Sequence, residues 1–156
     1  MRQSFDRELQ RLQAEILRMG SEVEEHLTRV TTAFVERDAY TAAQMIAADT
    51  SINERRIQIG LDALTLIAKQ QPLAGDLRLI GAVMEIVGEL ERIHDYIKGI
   101  GKISLNIGAT PILPAFVAHM PEMAETAREM LHLSLKAFVD RDRDLAQRVP
   151  AMDDVV

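Results

Sequence analysis

Between Ser4 and about Arg37 the apolar residues Phe5, Leu9, Leu12, Ile16, Met19, Val23, Leu27, Val30 and Phe34 recur at alternating steps of four and three, with charges between them. That spacing lays them along one stripe of a long amphipathic helix. A mean step of ~3.5 residues is also what a coiled-coil seam requires, so the stripe could serve a second copy, but packing within the chain is the favoured reading. A second helical pattern runs from about Ala39 to Lys69. Gln70-Gln71-Pro72 stops it, because proline disfavours helical geometry in the residue before it. A third helix is predicted from about Ala74 to Leu105, and Asn106, Gly108, Pro111 and Pro114 then mark a loop. A fourth helix is predicted from about Ala115 to Arg141, and a fifth begins near Arg143.

The first and fourth helices carry related wording. Aligning Leu27 with Leu131 pairs Ala33 with Ala137, Phe34 with Phe138, Val35 with Val139, Arg37 with Arg141, Asp38 with Asp142, Ala42 with Ala146 and Asp49 with Asp153. An internal repeat at this fixed offset predicts two stacked helical units. The expected organisation is a complete first unit over 1–106, a linker over 107–114 and a partial second unit over 115–156. The second unit stops before the position matching Asn53, as a fragment or a shortened version of a two-repeat protein would.

Composition narrows the functions available. Aromatic residues make up 4% and there is neither Trp nor Cys, so the apolar content rests on residues that helices tolerate well, and no disulfide, thiolate metal site or cysteine nucleophile is on offer. A net charge of -6 without a basic cluster argues against nucleic acid and against adhesion to anionic lipid. No apolar run has the ~18 residues of a membrane span, and Met1 to Arg11 has no signal-peptide core, so a cytoplasmic protein without direct membrane insertion is expected.

The candidate chemistry is acidic. Helical spacing projects Glu91 and Asp95 in nearly the direction of Leu77, Ile80, Met84 and Val87, and sets Asp49, Asn53 and Arg56 with Met45, Ile46, Gly60, Leu64 and Ile67. If the chain reverses near Pro72, Asn53 and Glu91 lie 19 residues from the turn and Asp49 and Asp95 lie 23, which puts them at matching heights. Converging carboxylates in a partly apolar setting need protonation, a cationic side chain or a bound metal. The residues alone leave two readings: ordinary ion pairs with Arg56, Lys98 or Arg92 at a wide bundle edge, or an oxygen-ligand metal site on facing helices. Glu91 and His94 also make the Glu-x-x-His spacing of di-iron bundles, but His26, His119 and His132 have no acid three residues before them to supply a second copy. His94 is therefore expected at a surface or interface.

Three stretches are recognisable as words: "DTSIN" at Asp49 to Asn53, "AKQQPLAGDLR" at Ala68 to Arg78, and "ELERIHD" at Glu89 to Asp95. With the opening "MRQSFDREL" and the "LRMG" ending at Gly20, they resemble the PhoU family of phosphate-uptake regulators over the whole first repeat and the beginning of the second. The resemblance implies an all-α fold of long antiparallel three-helix bundles related by pseudo-symmetry, often dimeric, without catalytic activity. It implies a negative regulator coupling the ATPase subunit of a phosphate ABC transporter to a sensor histidine kinase, and an iron or zinc site at an acid-x-x-x-Asp motif. Glu91 and Asp95 match that motif, and Asp49 and Asn53 match its paired position less closely, since Asn53 stands where an acid is common. His94 replaces a usual small glycine, Tyr96 a usual histidine and Gly99 a common asparagine. The alternatives that the residues leave open are a carboxylate-bridged metal enzyme and a purely structural coiled-coil oligomer.

Overall fold

The structure, a computed structural model, describes residues 2–155. Met1, which begins the opening motif, and Val156 lie outside them. Helix α1 spans Arg2–Glu36, α2 Ala39–Gln70, α3 Ala74–Ile107, α4 Pro114–Val117, α5 Met120–Asp140 and α6 Arg143–Arg148, and a 3-10 helix covers Val149–Val155. Among the described residues there is no strand.

Helices α1, α2 and α3 form one antiparallel bundle. Phe5, Leu9, Leu12, Ile16, Met19, Val23 and Val30 of the predicted stripe are buried, and Leu27 packs against the same core. The seam is thus spent within the chain, which leaves a coiled-coil oligomer on this stripe nothing to pair with. Opposite it lie Met45, Ile52, Ile59 and Leu66 of α2 and Ile80, Val83, Val87, Leu90 and Ile97 of α3. Each such side chain contributes on the order of 1.5–3 kcal/mol by leaving water. The α2–α3 reversal takes three residues, with Gln71 in the left-handed region (φ 45°) and its N–H returned to the Ile67 carbonyl at 3.0 Å.

The repeat reappears as a repeated corner. Arg37 and Arg141 both adopt positive φ, 63° and 54°. The next residue then closes the helix end, Asp38 N–H donating to the Ala33 carbonyl and Asp142 N–H to the Ala137 carbonyl, both at 2.9 Å. The same two aspartates cap the following helices, Asp38 accepting from the Thr41 N–H at 3.1 Å and Asp142 from the Leu145 N–H at 2.9 Å. Each aspartate therefore ends one helix and starts another. Asp38→Ala and Asp142→Ala should each lower the melting temperature by roughly 2–4 °C, read by calorimetry; an unchanged transition in both would deny the caps this role.

The predicted fourth helix is broken. Its first turn is α4, residues 118 and 119 form a turn, and α5 starts at Met120 with Pro121 in its first turn. Proline carries no N–H, and its ring obstructs the carbonyl one turn earlier, so the helix restarts there instead of running through. Helix α5 lies along α1, where Gly20 lets Leu135 approach: a Cβ on Gly20 would lie 2.2 Å from Leu135 Cδ1. Glu24 fastens the same seam, at 3.5 Å from Arg128 and 3.4 Å from His132. The guanidinium of Arg37 donates to the carbonyls of Thr110 (2.7 Å) and Gly108 (3.4 Å), tying down the connection after α3.

Candidate functional site

The buried stripe of α2 is Ala42, Met45, Ile52, Ile59, Ala63 and Leu66, and that of α3 is Ile80, Val83, Val87, Leu90, His94, Ile97, Gly101 and Ser104. The acidic residues flank these stripes and do not share them. Glu91 and Asp95 each follow a buried residue, Leu90 and His94, and one residue turns the side chain by about 100° around the axis. Glu91 and Asp49 are half-buried, while Asp95 and Asn53 are exposed. Leu77 and Leu64, which the sequence pattern sets on the apolar side, are exposed as well. A helix gripped by two neighbours buries a broad arc, and sequence spacing alone does not locate its edge.

What the hairpin brings together is a chain of polar groups leading into the core. The Lys98 ammonium donates to Asp49 Oδ2, and it also lies 3.7 Å from Asp95 Oδ1. Asp49 Oδ1 is 3.4 Å from His94 Nδ1, and His94 Nε2 is 3.0 Å from His26 Nδ1. The two imidazoles meet edge to face, with centroids 5.1 Å apart and planes at 64°. Neutral rings satisfy the whole series with one tautomer each: His26 Nδ1–H donates to His94 Nε2, and His94 Nδ1–H donates to Asp49. Among the described residues no buried side-chain nitrogen or oxygen lacks a partner.

His94, expected at a surface, is fully enclosed, and His26 on α1 is its buried partner. His26 belongs to no motif in the sequence. The available signal was position: His26 falls three residues after Val23 and four before Val30, and His94 falls four after Leu90 and three before Ile97, so both sit at core spacing.

The electrostatics follow from the contacts. Burial pushes the Asp49 carboxyl up, but hydrogen bonds from Lys98 and His94 outweigh it and hold the group below its ordinary value. The bond to Asp49 raises the Lys98 ammonium. Burial lowers His26, helped by the His94 ring and Arg29 and opposed by Glu22 and Glu25.

The expected ligands do not form a donor set that fits iron or zinc. Asp49 has engaged both oxygens, one with Lys98 and one with His94. Asn53 Oδ1 accepts from Arg56 Nε and Nη2, both at 3.3 Å. Glu91 and His94 cannot chelate as a pair while both nitrogens of His94 are held inside the core. Among the described residues no three histidine, cysteine or acidic side chains converge as metal ligands do.

A groove of about 560 Å³ runs between α3, α5 and the terminal 3-10 helix, lined by apolar Ile86, Leu90, Ile93 and Leu131 and by the acids Glu85, Glu89 and Asp153. Its α5 side, Ala127, Met130, Leu131 and Ser134, lies one repeat offset beyond Val23, His26, Leu27 and Val30. Met130 takes the place of His26, so the second unit does not repeat the histidine pair.

A long antiparallel bundle, a repeated Arg-Asp corner and an acidic hairpin face define a helical-bundle protein with a pseudo-repeat. The model of the PhoU domain matches the chain over residues 16–104 and 120–156, and the chain belongs to the PhoU family. It is 34% identical over 145 residues to the phosphate-specific transport system accessory protein PhoU of Serratia marcescens, covering 93% of this chain and 59% of that protein. It is 32% identical over 155 residues to the homologous accessory protein of a Synechocystis species, covering 99% of this chain and 69% of that one. The crystal structure of PhoU from Pseudomonas aeruginosa superposes with a TM-score of 0.90 at 28% identity, over 97% of this chain and 72% of that chain. That of the phosphate transport system regulatory protein PhoU from Streptococcus pneumoniae gives 0.88 at 27%, over 96% and 70%. The chain thus spans about three fifths of the Serratia protein's length.

Proposed function

We propose that the chain is a non-catalytic regulator of phosphate uptake, a negative regulator that links the ATPase subunit of a phosphate ABC transporter to a sensor histidine kinase in the cytoplasm when phosphate is plentiful. The observation that carries this reading is family membership, with relatives named as accessory proteins of phosphate-specific transport matching 93% or more of the chain. The architecture is compatible with it: rigid helices offer extended faces to partners, and no helix among the described residues is long and apolar enough to cross a membrane. In this reading the working form is a homodimer.

Immobilised chain should retain the ATPase subunit and the kinase from the same organism, and light scattering should give twice the chain mass. Deleting the gene should leave phosphate uptake and the starvation response active in phosphate-replete medium. Retention of neither partner, together with normal repression in the deletion strain, would end this reading.

A further inference from the structure

Three acids facing one another across a helix hairpin would require an external cation only if all three had lost their water. Asp95 has not: its side chain keeps 56% of its exposure. Glu91 is half-buried and sits at the edge of the stripe. Asp49 alone is largely withdrawn, with 18% exposure, and it is the acid that receives the lysine. We infer that the acidic face of the α2–α3 hairpin is charge-compensated from within by Lys98, at the outer end of the His26–His94–Asp49 series, and that this chain needs no metal ion there.

Three observations carry the inference. Lys98 is placed by the helix itself, one turn beyond His94 and Asp95, so its ammonium reaches Asp49 across the hairpin and Asp95 on its own helix. Both Asp49 oxygens are engaged, so a metal on Asp49 would either compete with the ammonium for Oδ2 or share Oδ1 with His94 through its remaining lone pair. Breaking the Oδ1 contact would strand a ring nitrogen of a fully buried side chain, and keeping it would hold the metal beside the Lys98 ammonium, which repels it. Asn53, the other α2 residue of the expected ligand set, is an amide already accepting from Arg56. A divalent ion would therefore have to displace, or sit against the repulsion of, cations that are covalently part of the protein and always present at the site.

The test uses the full chain, freed of metal, incubated with zinc or with ferrous iron without oxygen, then desalted. Substoichiometric metal in the desalted protein and a melting temperature indifferent to EDTA are expected. Retention of one equivalent by the wild type, abolished by Asp49→Asn or Asp95→Asn, would overturn the inference. A thermal cycle provides the second readout: Lys98→Met and Asp49→Asn should each lower the melting temperature by roughly 3–8 °C, and the double variant should fall no further than the worse single. Strictly additive losses would mean that Lys98 does not compensate Asp49, and would overturn it too. Should Lys98→Met fail to fold, metal retention by the wild type still decides.

Discussion

His94→Ala is expected to lower the melting temperature by about 6–20 °C, corresponding to ~3–5 kcal/mol, among the largest losses that a single substitution in this chain should produce. The ring is fully buried, so its removal opens a cavity between α1, α2 and α3. It also holds one nitrogen of His26 and one oxygen of Asp49, and truncation deprives both of a partner in a region of low dielectric. The two costs can be separated. His94→Leu restores most of the volume but not the bonds, whereas the double variant His26→Leu with His94→Leu removes the stranded imidazole, so it should regain part of the loss. A double variant less stable than His94→Leu by the full cost of a second core lesion would deny the pairing.

The same pair sets a direction for pH. Folding holds His26 below its ordinary 6.5, chiefly through burial and then through the neighbouring His94 ring, so on acidification the unfolded chain takes up the proton first. The contribution is complete above about pH 6.5 and is lost as pH falls from there toward the folded-state value. Asp49 acts lower on the scale, because its depressed carboxyl loses its contribution only below the ordinary range for aspartate. Melting curves should therefore soften first as pH falls below about 6.5, and that early limb should vanish in the double leucine variant.

Gly20→Ile should detach the second unit while leaving the first folded. Any Cβ at Gly20 meets the tip of the Leu135 side chain, which is 5% exposed, so Leu135 has to shift away from α1 to admit the larger isoleucine. Overpacking of this kind costs about 1–3 kcal/mol, against a helix-propensity gain of less than ~1 kcal/mol for replacing glycine. The strain falls first on the α1–α5 seam, where Glu24 also meets Arg128 and His132 and where Leu135 joins the core built by α1, α2 and α3. Hydrogen exchange should accelerate across α5, α6 and the 3-10 helix, with α2 and α3 protected as before. Uniform acceleration through all helices, or none, would show that Gly20 is not the point at which the two units lock.

Much of the architecture was legible along the chain, because it is written in local terms. The α1 stripe, the stop at Pro72 and the Leu27/Leu131 offset each express a periodicity or a backbone restriction that holds whatever the helices pack against. The repeat went further than expected, since Arg37-Asp38 and Arg141-Asp142 fold into the same corner. The break ahead of α5 is local in the same way, since Pro121 lacks the N–H and crowds the carbonyl that a continuous helix would need.

The acidic face was decided elsewhere. Counting from Pro72 places Asp49 level with Asp95, and Lys98 does reach both, but counting cannot say which carboxylate keeps its water. That depends on how wide an arc of each helix two neighbours cover, which is set by the packing of three helices at once. For the same reason Glu91 and Asp95 lie beside the core stripe instead of on it, and His26 meets His94 across 68 positions of sequence. The sequence by itself determined the helices, their order and their reversal. Only the tertiary structure decided that a lysine and two histidines, and not the acids alone, define the chemistry between them, because desolvation and side-chain partnership belong to neighbours brought together by folding.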